Sequence, residues 1–236
     1  MKAPIIEVFS SIQGEGLLIG RRQIFVRFAG CNLNCIYCDT PESRKSTAGT
    51  SKTVEELFQT IESILTPDFH SISFTGGEPL LQADFIKTFL QKYQKNKFKS
   101  LLETNGSLPK EVEKIANLIT HASVDIKLPE HFSSNTKDDL IEREIESLNI
   151  LISRRVKVYC KVVMLPSTKV ETLGHVAKTI KENISDPSRI VMVLQPASPL
   201  KYWVQHTPKL FSMSEKVGEH INVLTIPQVH KLLEVR

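Results

Sequence analysis

Short runs rich in β-branched and aromatic residues recur along the chain: IIEVF, QIFVRF, HSISF, KSLLE, ASVDIKL, VKVYCKVVM, RIVMVLQ and INVLTI. Such runs predict strands. Most are separated by segments of a different period. In TVEELFQTIESIL, residues Val54, Leu57, Phe58, Ile61, Ile64 and Leu65 fall three or four apart, which gathers them on one face of a helix. ADFIKTFLQKYQK, PKEVEKIANLI, KDDLIEREIESLNILI and KVETLGHVAKTIKEN follow the same rule, and Pro109 suits the first turn of its helix. Strands alternating with helices predict an α/β fold with a mostly parallel sheet and right-handed crossovers. The number of units, about six, is too small for a closed eight-stranded barrel and points to a partial (βα)6-type barrel.

In such sheets ligands gather at the carboxyl ends of the strands. Four of those ends carry polar, Gly or Pro segments: CNLNCIYCDT after QIFVRFAG, TGGEP after HSISF, ETNG at the end of KSLLE, and QPASP after VMVL. No repeat or linker divides the chain, so residues 1–236 are expected to form one domain, with residues 40–53 the best candidate for a mobile loop.

Composition narrows the classes. A chain of 236 residues that is 41% hydrophobic can bury one sizeable core. Its net charge of +4 comes from 30 basic residues scattered among 26 acidic ones, and KYQKNKFK reads as a solvated face, so neither nucleic acid nor a membrane surface is expected as a partner. MKAPIIEVFSS lacks the apolar stretch of a secretory signal and no long apolar run follows, which makes a soluble cytoplasmic protein the expectation.

Three of the four cysteines lie in Cys31-x3-Cys35-x2-Cys38, a spacing that suits a metal or cluster in a reducing compartment. Cys160 sits in a strand-like run and reads as core packing. Three thiolates on one loop leave one iron of a [4Fe–4S] cluster open for another ligand. The rival is structural zinc, which normally closes with a fourth Cys or His; the nearest histidine, His70, lies in another segment.

The Cx3Cx2C spacing with Tyr37 before the last cysteine resembles the signature of the radical S-adenosylmethionine (SAM) superfamily, and TGGEP, Thr75 to Pro79, is similar to its SAM-binding motif. The likeness extends further. FSSIQGEG, FVRFAGCNLNCIYCDT, FTGGEPLLQ, LETNG, QPASP and PQVHKLL closely resemble the 7-carboxy-7-deazaguanine synthase family. This resemblance implies a carbon–nitrogen lyase that converts 6-carboxy-5,6,7,8-tetrahydropterin to 7-carboxy-7-deazaguanine with loss of ammonia, on the way to queuosine or archaeosine. It implies a [4Fe–4S] cluster, SAM, Mg²⁺, an external one-electron donor and a homodimer.

By the same resemblance Cys31, Cys35 and Cys38 hold the cluster. SAM is met by Tyr37, Cys38, Asp39, Gly77, Glu78, Asp125, Lys127 and Gln195, with Gly76 and Gly77 admitting close backbone approach and Glu78 accepting from the SAM ammonium. The substrate is met by Ile12, Gln13, Gly14, Glu15, Arg27, Thr75, Glu103 and His230. The amide and carboxylate of the QGE loop suit the edge of a pterin, and the guanidinium of Arg27 suits its carboxylate. Thr40 resembles the Mg²⁺ ligand. Blander readings stand beside these: Asp125 and Lys127 as a structural ion pair, Arg27 as a surface pair, His230 as a packed or solvated helix residue. Arg22 replaces a common proline, Tyr37 a common tryptophan, and DIKLP the SPK-type segment of some relatives. Two rivals remain, a glycyl-radical activating enzyme and a non-catalytic zinc-binding module.

Overall fold

The computed structural model describes residues 1–133 and 139–235. Its strands form one nine-stranded sheet in the order β3-β1-β2-β4-β5-β6-β7-β8-β9. These are β1 (Lys2–Ile12), β2 (Arg22–Phe28), β3 (Thr50–Thr53), β4 (Phe69–Gly76), β5 (Ser100–Thr104), β6 (His121–Asp125), β7 (Lys157–Met164), β8 (Val191–Pro196) and β9 (Asn222–Thr225). From β2 through β9 every pairing is parallel, whereas β1 pairs antiparallel with both β2 and β3. The sheet is open, with β3 and β9 as its edges. The α/β reading holds, with an antiparallel extension at one side.

Strand β3 lies in the stretch expected to be mobile. TSKT has no apolar residue to announce it; backbone pairing with β1, Lys2 opposite Thr53 through Ile5 opposite Thr50, makes it a strand. It leads directly into α1 (Val54–Ser63), whose start is a reciprocal cap: the Thr53 hydroxyl accepts from Glu56 N at 3.1 Å while Glu56 accepts from Thr53 N at 2.6 Å. That helix stops at Ser63, so Leu65, expected on its buried face, is exposed.

The other predicted helices are α2 (Ala83–Lys92), α3 (Pro109–Ile115), α4 (Leu140–Ser153) and α5 (Val170–Asn183). Pro109 takes the first turn of α3. The expected start of the fourth helix at Lys137 and Asp138 lies outside the described residues. Three further helices follow β8 or β9: α6 (Lys201–Gln205), α7 (Thr207–Gly218) and α8 (Val229–Leu232). No helix among the described residues is long and apolar enough to cross a membrane.

Strand alternation divides the sheet into two chemically distinct faces. On the helix-covered face Ile24, Val26, Phe28, Ile72, Phe74, Leu102, Val124, Val158, Val162, Met192 and Leu194 join one continuous apolar core. Cys160 belongs to this face, fully buried. Burial pushes its thiol up to about 12, as befits a packing residue. The opposite face carries Arg27, Thr75, Glu103, Asp125, Lys161 and Gln195 with apolar Val163 among them, and this mostly polar set lines a cavity.

Candidate functional site

The cavity, about 420 Å³, is bounded by the carboxyl ends of the strands and by the loops that leave them. All residues singled out from the sequence as cluster, cofactor, substrate or metal contacts lie on it, from Ile12 to His230.

Its roof is the cysteine loop, which leaves β2 at Phe28. Backbone bonds hold the loop's base: Gly30 N donates to Ser43 O at 2.8 Å and Cys31 N to Arg44 O at 3.1 Å. The Arg44 guanidinium reaches back to Cys35 O and the Asn34 side chain, so the segment after the loop ties its middle. The three thiols are free, half-buried and turned to the same cavity.

The TGGEP turn is stitched to this loop through backbone. Gly77 N donates to Phe28 O at 3.0 Å and Glu78 N to Gly30 O at 2.7 Å. Gly76 has φ +134°, and a Cβ there would stand 2.2 Å from Phe28 O. At Gly77 a Cβ would meet Gly30 O at 2.1 Å. The glycines therefore serve, first, the approach of this turn to the chain's own cysteine loop. The Glu78 carboxylate is likewise engaged within the protein: it accepts from Leu80 N at 3.0 Å, the Thr104 hydroxyl at 2.7 Å and Asn105 N at 2.8 Å. Complete burial outweighs these donors and pushes it up to about 7. Asn105 in turn donates to Asn32 at 3.0 Å, joining the β5 loop to the cysteine loop.

The end of β6 carries the DIK segment. Lys127 Nζ donates to Asp125 Oδ2 and to the Tyr37 hydroxyl, each at 3.0 Å. Burial would push Lys127 down, but Asp125 and the neighbouring Tyr37 and Cys35 hold it well above its ordinary value. The Tyr37 ring packs edge-on against buried His131 at 4.6 Å. His131 was not foreseen from sequence. Its Nδ1 accepts from Leu128 N at 3.0 Å, its Nε2 lies 2.9 Å from Val163 O, and its carbonyl accepts from Ile36 N at 2.9 Å.

The QGE loop after β1 closes the opposite side. Gln13 Nε2 donates to Gln23 and to Glu103 Oε1, both at 2.9 Å, and its Oε1 accepts from Glu15 N at 3.0 Å. The amide expected to meet a ligand edge thus shapes the loop and orients Glu103, whose Oε1 also accepts from Ser73 at 2.6 Å. Glu15 accepts from Lys161 at 2.6 Å and from Gln228 at 2.7 Å. Burial would raise Glu15, yet Lys161 and Gln228 prevail and hold it at about 2. Gly14 packs on His230, where a Cβ would meet Nδ1 at 2.2 Å, so the histidine is a packed neighbour of this loop.

Arg27 donates through Nε to Glu7 at 2.7 Å, and its guanidinium lies 5.9 Å from the Phe9 ring, which stacks on Phe25 at 5.1 Å. Thr75 stands beside Arg27 in the β2–β4 register. At the end of β8, Gln195 is buried with Oε1 unpartnered, an acceptor facing a site built for a ligand. Thr40 closes a turn in which Ser43 donates to its carbonyl at 2.7 Å, and Asp39 lies 3.5 Å from Lys231.

Lys161 and Gln228 are the principal site residues that sequence reasoning missed. A lysine inside the apolar strand KVYCKVVM was the available signal, since a charge on an interior strand needs a partner.

Three thiols on one cavity, with a buried acceptor and an ionised Asp–Lys pair opposite, fit a cluster with an open iron and a zwitterionic ligand. Burial raises the Cys31 and Cys35 thiols, which as cluster ligands would be held as thiolates. Among the described residues no three His, Cys, Asp or Glu side chains already converge on a single ion; the three thiols share the cavity without closing on one point.

Comparisons with known proteins agree with this chemistry. The sequence model of the Radical SAM superfamily matches residues 25–182. The 7-carboxy-7-deazaguanine synthase of Methanothermobacter thermautotrophicus is 55% identical, over 100% of this chain and 99% of that relative. The enzyme of that name from Methanocaldococcus jannaschii is 36% identical over 97% and 98%. In structure, QueE from Escherichia coli superposes with a TM-score of 0.64 at 20% identity, covering 95% of this chain and 94% of that one, which shows a shared fold. The chain therefore belongs to the radical SAM superfamily and, within it, to the 7-carboxy-7-deazaguanine synthase family.

Proposed function

We infer that the chain converts 6-carboxy-5,6,7,8-tetrahydropterin to 7-carboxy-7-deazaguanine with release of ammonia, in 7-deazapurine biosynthesis. The observation that carries this reading is that the QGE loop and the cysteine loop, at opposite ends of one cavity, leave room of small-molecule size between them. When bound, the [4Fe–4S] cluster and SAM supply a one-electron cleavage and a carbon radical able to take a hydrogen from the substrate.

The chain's own residues bind, orient and shield. The guanidinium of Arg27 keeps its terminal nitrogens for a carboxylate while Glu7 fixes Nε. The stacked Phe9 and Phe25 offer an apolar wall to a flat heterocycle. Glu15, held ionised, accepts from ring N–H groups, and Glu103 and Thr75 line the same cavity. Tyr37, Asp39, Gly77, Asp125, Lys127 and Gln195 surround the place left for SAM. In this reading Thr40 would hold Mg²⁺ through its hydroxyl, and the ion would supply positive charge for the substrate carboxylate. The electron comes from an external donor, and the working protein is a cytoplasmic homodimer.

Anaerobic turnover of the reconstituted chain with SAM, reductant and the carboxypterin, followed through the deazapurine chromophore, tests the reading. Product is expected only when all components are present. Activity solely toward a glycyl-radical protein partner would refute it.

A further inference from the structure

Lys161 is 8% exposed and sits on the inward face of β7 between Tyr159 and Val163, which line the polar side of the sheet. Register places it directly across from Asp125 on β6, the geometry in which side chains of neighbouring strands meet. Its Nζ lies 3.3 Å from Asp125 Oδ1 and 2.6 Å from Glu15 Oε2. Each carboxylate uses its other oxygen elsewhere. Asp125 Oδ2 holds Lys127, which holds Tyr37; Glu15 Oε1 holds Gln228. One cation therefore joins two chains of hydrogen bonds, one running to the cysteine loop and one to the QGE loop.

Both carboxylates are partly buried; Asp125 has Lys127 as a second cation, and Lys161 is the ammonium they share. Burial would push the lysine itself down, but Asp125, Glu15 and Glu103 hold it well above its ordinary value. It is a fixed ammonium, unsuited to act as a nucleophile.

We propose that Lys161 is a positioning residue that holds Glu15 and Asp125 as one ionised unit, so that filling the pterin side of the cavity organises the SAM side and the reverse. The proposal rests on the substrate reading above. It predicts linkage that runs equally in both directions, because coupling between two sites is reciprocal.

The test uses full-length enzyme with its cluster installed. Affinity for SAM is read from the change in the EPR spectrum of the reduced cluster, and KM for 6-carboxytetrahydropterin from product formation. Lys161→Met is expected to weaken both by about tenfold, a usual size for coupled sites, with a smaller fall in kcat. Lys161→Arg should recover most of both losses. Glu15→Gln, on the pterin side, should weaken SAM binding, and the Glu15→Gln/Lys161→Met double variant should be within about threefold of the worse single one. Where Lys161→Met does not fold, Glu15→Gln and Lys161→Arg still decide. SAM affinity untouched by Glu15→Gln, or single effects that multiply in the double variant, would overturn the linkage. Wild-type enzyme that binds SAM but makes no deazapurine would sink the substrate reading alone, leaving the SAM titrations to judge Lys161.

Discussion

Lys127 Nζ stands 3.0 Å from the Tyr37 hydroxyl, although the two residues are 90 positions apart. The bond fastens the cysteine loop to the end of β6 and holds an ammonium on the wall of the cavity. Tyr37→Phe removes the acceptor and leaves a buried charged donor short of one partner, a loss of about 1–3 kcal/mol. Iron content should stay at the wild-type level while SAM affinity falls about tenfold. Iron analysis with an EPR-detected SAM titration checks both; loss of iron would show that Tyr37 builds the loop rather than the cofactor side.

Gly77→Ala puts a Cβ 2.1 Å from Gly30 O, a backbone atom that cannot turn aside. The TGGEP turn must then part from the cysteine loop, breaking the Gly77 N to Phe28 O bond. We expect a stability loss of at least about 2 kcal/mol, measured by urea unfolding, together with poor cluster incorporation. A variant as stable as wild type would mean the turn has freedom that this packing denies.

Replacing Cys31, Cys35 or Cys38 by alanine should abolish the cluster's visible absorbance and reductive SAM cleavage. Cys160→Ala should retain both, since the thiol lies in the core on the other face of the sheet, and should cost about 1 kcal/mol for the small void. Equal activity in all four variants would contradict the ligand assignment.

His131 is held neutral. Its Nδ1 already accepts from Leu128 N, so a proton there would face an N–H, and burial with nearby Lys127 lowers the ring to about 4. The unfolded ring takes its proton near pH 6.5. Between those values the unfolded chain binds more protons, so the stabilisation is complete above pH 6.5 and declines by about 3 kcal/mol as pH falls through 4. His131→Phe keeps the ring against Tyr37 and removes the titration. The stability gap between wild type and variant should be large at pH 7 and shrink toward pH 4 in urea unfolding. A gap constant with pH would disprove the neutral anchor.

Much of this site was legible because it is local. Cys31, Cys35 and Cys38 share one loop, Gly76 to Glu78 one turn, and Gln13 to Glu15 another, so spacing alone displays their chemistry. Runs rich in β-branched and aromatic residues such as VKVYCKVVM and the three-four spacing of Val54, Leu57 and Ile61 foretold strands and helices for the same reason. Strand β3 escaped because TSKT pairs through backbone, which leaves no mark in side-chain pattern.

The sequence by itself determined the alternating α/β order, the strand ends that carry chemistry, and the thiols available to a cluster. Tertiary structure alone decided that Lys161 joins Glu15 to Asp125, that the amide of Gln13 faces inward to Glu103, and that Gly77 is demanded by Gly30. The division has a physical cause: periodicity records which face of an element is buried, whereas pairing between charges depends on which distant elements the packed sheet brings within about 3 Å of each other.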